Sequence, residues 1–201
     1  MIRQRREQRR EDYEKGRRQW LLTRIGLIAF GVLVVVGIGV FGFTRVRDQQ
    51  LNQVPDGVNT NFSFVGNNHV AAGETVPYAE LPPVGGPHDA VWQNCGYYAE
   101  PIRSENGVHS LEHGAVWVTF RPDLPADQIE RLQTLAGDQP YLLVSPVPDL
   151  PSPVVASAWN NQLPLESIDD DRFDQFVRYF QQGPQTVEPG ARCSGGVGEP
   201  T

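Results

Sequence analysis

Methionine, cysteine and lysine are almost missing from this 201-residue chain, which has one methionine, at position 1, two cysteines, Cys95 and Cys193, and a single lysine, Lys15. A methionine-rich copper(I) carrier is excluded on that count, because soft thioether ligands are what such a carrier needs. The two cysteines are far apart and form no C-x-x-C pair, so a thioredoxin-like redox centre has no basis. Neither lies near the N-terminal apolar run, which excludes a lipoprotein anchor. Basic charge is scarce in the second, longer part of the chain, where residues 45–201 carry eight arginines against 20 acids. Nucleic acid is excluded as a partner, since phosphate contacts need a basic face. No internal repeat is visible.

What basic charge there is sits at the front. The first 24 residues hold nine Lys/Arg and four acids, and nineteen uncharged residues follow, Ile25 to Phe43. That run is long enough to cross a bilayer as a helix. Arg24 and Arg45 bracket it, and Trp20 sits where an amphipathic aromatic anchors at an interface. A cleavable signal peptide would need small residues after the apolar core, and Phe41-Gly42-Phe43-Thr44-Arg45 is a poor cleavage site. The expectation is a single-pass membrane protein whose partner is the lipid bilayer. By the positive-inside rule its basic tail (1–24) stays cytoplasmic, its span is 25–44, and everything beyond is extracytoplasmic.

Residues 45–60 are polar and turn-bearing and read as a linker. Asn61-Phe62-Ser63-Phe64-Val65 alternates like a short strand. Residues 66–107 are rich in glycine and proline with little periodicity, yet carry Tyr78, Trp92, Tyr97 and Tyr98. Loops this long inside a compact domain are usually functional, so we expect an ordered irregular layer over a regular scaffold. The scaffold follows: a β-branched strand at 115–120, an amphipathic helix at 125–136 capped by Gly137, strands at 141–145 and 154–159, and a Phe-rich helix at 169–182. The acids Asp169-Asp170-Asp171 suit the N-terminus of that helix better than a calcium loop, which needs spaced oxygens and a glycine. The expected fold is therefore α/β (or α+β), one small β-α-β-β-α domain over residues 61–189 with a long irregular loop layer, followed by a tail at 190–201.

All four histidines, His69, His88, His109 and His113, fall in a window of 45 residues that also holds Cys95. Neutral imidazole is the commonest side-chain ligand for Zn and Cu. His109 and His113 are four apart and share a face in either a helix or a strand. His88 follows a stiff Pro/Gly turn, and His69 could stand on the rim. A site of His88, His109 and His113, with His69 and Glu112 in support, would suit one Cu or Zn ion. It requires at least three rings to converge within about 5 Å, and rings more than ~8 Å apart or hydrogen-bonded to carbonyls would rule it out. The competing reading is a hydrogen-bonded network of histidines and tyrosines that locks the irregular layer.

His109-x-x-Glu112-His113 also matches the inverted zinc-protease string, in which the glutamate activates a metal-bound water. That motif needs a mid-helix setting, whereas Gly114 and a strand follow here at once and leave room for at most one helical turn. Glu112 then reads as an acceptor for a histidine N–H, or as the ion-pair partner of Arg103 or Arg121. Tyr97 and Tyr98 either cap the site through their hydroxyls or pack a core. Trp117 and Trp159 read as core. Cys95 and Cys193 either pair, as two cysteines in an oxidising compartment usually do, or one of them joins the histidines as a thiolate.

Leu81-Pro82-Pro83-Val84-Gly85-Gly86-Pro87-His88, Cys95-Gly96-Tyr97-Tyr98 and Val108-His109-Ser110-Leu111-Glu112-His113-Gly114-Ala115-Val116 resemble the DUF3105 family, as do Ala158-Trp159 and the Phe-rich helix after them. The resemblance covers roughly residues 61–189 and implies a bacterial, membrane-anchored protein. One departure is Gly85-Gly86 where the family shows Ser-Gly, which removes a hydroxyl. The family implies no activity. Three functions stay open: transition-metal binding at the cell surface, a non-catalytic accessory subunit of a membrane protein complex, and a metal-dependent hydrolase.

Overall fold

The computed structural model describes residues 2–201. The chain divides into two units, with the division between Gln49 and Gln50. The first is one helix, α1 (Ile2–Leu51). Its stretch Arg24–Gln49 is long and apolar enough to cross a membrane. At 1.5 Å per residue those 26 residues reach about 39 Å, against about 30 Å of bilayer hydrocarbon. Every described side chain from Ile25 to Phe43 is exposed. The helix runs on through Arg45 to Leu51, part of the stretch read as linker, because no proline or glycine interrupts the chain there before Pro55.

The second unit is a mixed α/β domain. Its chain order is β1 (His69–Val70), β2 (His88–Asp89), β3 (Gly96–Tyr97), α2 (Ser104–Glu112), β4 (Val116–Phe120), α3 (Ala126–Asp138), β5 (Leu142–Pro146), β6 (Val154–Ala158), β7 (Asn161–Leu165) and α4 (Asp171–Phe180). Five strands make one sheet in the order β3-β5-β4-β6-β7, and β1 and β2 pair separately. β4 runs parallel to β5, with α3 as the crossover between them, and antiparallel to β6.

The pleat divides the core. Val116, Val118 and Phe120 of β4 join Leu142 and Val144 of β5 on the side of Leu132, Phe173, Phe176 and Phe180. Trp117 and Leu143, the alternate residues, face Val108 and Leu111 of α2 instead. Each side chain of this size contributes about 1.5–3 kcal/mol on full burial. The Trp117 indole N–H donates to Ser145 Oγ (3.0 Å), so its polar atom is satisfied inside the core.

The scaffold elements lie where the hydrophobic pattern put them, but the domain has more of them. β7 was missed because Pro164 interrupts an already polar run. It is tolerated because β7 is the edge strand of the sheet, bridged on its outer side by Asn59 at Gln162 and not at Pro164. Asn61–Val65 forms no strand: Phe64 N–H donates to the Asn160 side-chain oxygen (2.8 Å) and Asn160 Nδ2 donates to Phe64 O (3.1 Å), so one amide side chain does what a partner strand would. Gly137 lies inside α3, which ends at Asp138 with Gln139 as its cap. Asp170 caps α4, accepting the Arg172 N–H, and the Arg172 side chain and backbone bonds hold its carboxyl at about 2. The expected tail is tied down: Asn94 N–H donates to Val197 O, Val197 N–H to Trp92 O, and Thr201 N–H to Tyr97 O.

Candidate metal centre

The largest departure from expectation is α2. Its sequence SENGVHSLE carries asparagine and glycine, poor helix formers, yet it is a nine-residue helix, not a single turn. Tertiary packing overrides propensity: residues Glu105–Glu112 are all buried. Val108 and Leu111 face the sheet, while His109, Glu112 and His113 fall on the flank turned to the irregular layer. Gly114 ends the helix at φ +88°, donating to Leu111 O (2.9 Å), while Ala115 N–H reaches Ser110 O (2.9 Å). This is the paired-bond stop that a left-handed residue makes. A Cβ at Gly114 would meet Gln182 and Thr186. Gly114→Ala is expected to cost about 1–2 kcal/mol from the left-handed conformation plus that crowding, read as a lower denaturation midpoint with His113 disordered by NMR.

His69 and His88 reach the same place by pairing. β1 and β2 are parallel with His69 opposite His88. Their rings lie 4.9 Å apart, and His109 is 5.0 Å from each. His113 is 4.6 Å from His109. All four histidines converge. Trp92 covers the His113 side at 4.8 Å, and Trp159 presents an edge to His88 at 5.8 Å.

Three rings are held by carbonyls. The Nδ1–H of His88 donates to Gly86 O (2.8 Å), that of His109 to Asp89 O (2.7 Å), and that of His113 to Arg192 O (2.7 Å). A carbonyl only accepts, so Nδ1 carries the hydrogen in each and Nε2 is the atom turned inward. Carbonyl bonds were expected to rule out a metal, and that expectation is corrected: because they engage Nδ1 alone, they are the anchoring that metal-binding histidines usually have.

The inward atoms face awkward partners. His109 Nε2 is 3.0 Å from His113 Nε2, two lone pairs in the neutral rings. His88 Nε2 is 2.9 Å from Glu112 Oε2, and His69 Nε2 is 3.6 Å from the same oxygen. Each of these close contacts calls for a proton or a metal cation between the atoms. Burial first, and then the neighbouring histidines, push His109 down to about 4, against the Asp89 carbonyl bond that raises it. At neutral pH its Nε2 is therefore a free donor. Burial alone would raise Glu112, but the His88 ring and the Asn67 N–H (2.5 Å to Oε1) outweigh it and hold the carboxyl at about 2. Gly66 permits this close approach: a Cβ there would come within 2.7 Å of Glu112 Oε1 and would collide with Val187.

Among the described residues, two groups of side chains could hold a metal ion: His69, His88, His109 and Glu112, and His109, His113 and Glu188, with the ligand atoms of each group within 4.8 Å of one another. Tetrahedral Zn–N and Zn–O bonds place donors about 3.3 Å apart, and the 2.9 and 3.6 Å separations around Glu112 straddle that value.

Alternatives that the sequence left open are decided here. Tyr98 donates to Asn94 O and Tyr97 stacks on Phe120, so both belong to the packing of the domain and neither caps the histidines. Glu112 pairs with neither proposed arginine: Arg103 engages Asp89 and Glu105, and Arg121 engages Asp123. Cys95 and Cys193 form a disulfide, which removes the thiolate as a ligand. Glu188 was missed altogether. It lies in a Gly/Pro-rich stretch without periodicity, and its only signal was the Cys95–Cys193 pairing, which folds that stretch back on the site.

The profile of DUF3105, described as a protein of unknown function, matches residues 69–195. The chain belongs to the DUF3105 family. No curated protein and no solved structure matches it. The DUF3105 match begins at His69 and takes in all four histidines, Glu112, Glu188 and both cysteines, so the family region and the donor cluster coincide.

Proposed function

We propose that this DUF3105 domain binds a transition-metal ion, Cu or Zn, through His69, His88, His109 and Glu112, and that it does so outside the cytoplasm. In this reading α1 is a single-pass anchor with its basic end in the cytoplasm, as the positive-inside rule requires. The observation that carries the metal reading is the set of three Nδ1–H bonds to carbonyls, which leave the Nε2 atoms of His88 and His109 turned toward the buried Glu112 carboxylate and that of His113 turned toward His109. A purely structural histidine network would satisfy both ring nitrogens with protein partners. Here His109 and His113 set acceptor against acceptor.

The donor set is all nitrogen and oxygen, since both cysteines are oxidised. It suits Zn(II) or Cu(II) and disfavours Cu(I). A hydrolytic role finds no support at Glu112, which is fully buried with one oxygen on His88 and the other on Asn67 N–H.

The test is metal analysis of the full chain, purified in detergent without a polyhistidine tag. About one equivalent of Cu or Zn should accompany the protein, and His109→Ala should lose it while keeping the wild-type circular dichroism. A metal-free protein that takes up neither ion on titration rejects the proposal.

A further inference from the structure

Six donors meet in this cluster, more than one ion needs, and they fall into two sets. His69, His88 and Glu112 surround one point, with Glu112 Oε2 at 2.9 Å from His88 and 3.6 Å from His69. His113 Nε2 lies 3.5 Å from Glu188 Oε2 on the far side of His109. His109 Nε2 belongs to both groups. Its other nitrogen is committed to Asp89 O, so it can ligate one ion and cannot bridge two.

We infer that this domain has a second metal position, built from His109, His113 and Glu188, and that its full capacity is two ions. The inference rests on the reading of the inner group as a metal site. The first ion takes all four inner donors. A second ion recruits His109 outward, leaving His69, His88 and Glu112 on the inner ion and giving three protein ligands to each. Three protein ligands with an open fourth position is a stable arrangement for Zn(II).

The second position is assembled by the C-terminal segment. Glu188 N–H donates to Glu112 O (3.0 Å), which sets the segment against the end of α2. Arg192 O takes the His113 Nδ1–H, which fixes the Nε2 lone pair toward Glu188. Cys193, next in the chain, is bonded to Cys95. The Glu188 side chain is 38% exposed whereas His113 is 5% exposed, so the outer position opens to solvent on the Glu188 side. The outer ion is therefore expected to bind more weakly than the inner one and to exchange faster.

Co(II) is the probe, because its visible absorption reports coordination where Zn(II) is silent. The metal-free full chain in detergent is titrated with Co(II) and followed by absorption and by equilibrium dialysis. The wild type should take up about two equivalents in two phases, the second at least tenfold weaker. Glu188→Gln changes a half-exposed side chain and should keep the first phase while weakening the second by at least tenfold. His113→Gln should do the same. A wild type that saturates at one equivalent, or a second equivalent untouched by both substitutions, overturns the outer position and leaves the inner site standing. No uptake at all rejects the metal reading itself, a different and distinguishable outcome.

Discussion

Glu112→Ala should destabilise the metal-free domain by about 3–5 kcal/mol, the usual result of removing one partner from a buried charged pair. Glu112 is completely buried, and it ties together three parts of the chain. Its side chain accepts from Asn67 N–H and faces His88, while its backbone oxygen takes Glu188 N–H. Alanine keeps the backbone bond and loses the other two, leaving the His88 ring and the Asn67 amide without an acceptor. Glu112→Gln, which keeps an acceptor for Asn67 and nearly the same volume, should cost clearly less. The pH dependence has a fixed sign. The folded carboxyl titrates at about 2 against an ordinary value of 4.5. Its stabilisation is therefore complete above about 4.5 and is lost as the pH falls toward about 2. Urea denaturation in the presence of a chelator should show the gap between wild type and Glu112→Ala narrowing from about pH 6 to about pH 2. A gap that stays constant across that range would assign the loss to packing and not to charge.

The elements that could be read ahead of the structure are those whose period is set by a single buried face. β4, β5 and β6 are short apolar runs, and α4 repeats Phe173, Phe176, Val177 and Phe180 at helical spacing. In these segments local pattern and tertiary contact agree. Where they disagree, the sequence is silent. α2 is helical against its own composition, because Trp117 and Leu143 of the sheet and the loops above it bury it on all sides. β1 and β2 are two residues each and owe their existence to one parallel pairing across nineteen positions, which no window of periodicity detects.

The site divides the same way. That four histidines within one short window would meet was legible from spacing, and they do meet. Their chemical state was not legible, because it depends on three carbonyl oxygens, of Gly86, Asp89 and Arg192, and any residue type could supply a carbonyl at those positions. Glu188 could not be read for a related reason: it reaches His113 only through the path that the disulfide imposes on the chain after α4.

The double variant Cys95→Ser/Cys193→Ser should lose up to about 4.7 kcal/mol, the chain-entropy value for a cross-link closing a loop of roughly 100 residues. The cysteines are 98 positions apart. For a domain of this size the loss corresponds to a fall in Tm of roughly 10–15 °C. The segment is not held by the disulfide alone. Cys95 N–H donates to Cys193 O (2.8 Å), Asn94 N–H to Val197 O (2.9 Å), Val197 N–H to Trp92 O (2.9 Å) and Thr201 N–H to Tyr97 O (2.9 Å). Each such bond is worth about 1 kcal/mol net, so well below the melting transition the segment should stay docked for part of the time. This separates two effects that a single melting curve would merge. Stability should fall by the full cross-link contribution, while the inner metal group, which draws neither a ligand nor a ring-nitrogen acceptor from the segment, should keep its affinity in the folded protein. The outer group should not: Arg192 O, the acceptor that orients His113, adjoins Cys193 directly. Scanning calorimetry of the metal-free protein with Co(II) titration of both forms measures the two effects independently. An unchanged Tm would mean that the four backbone bonds already fix the segment. A Tm that falls while both metal equivalents bind as in the wild type would mean that His113 and Glu188 are positioned by α2 and by the Glu112–Glu188 backbone bond alone.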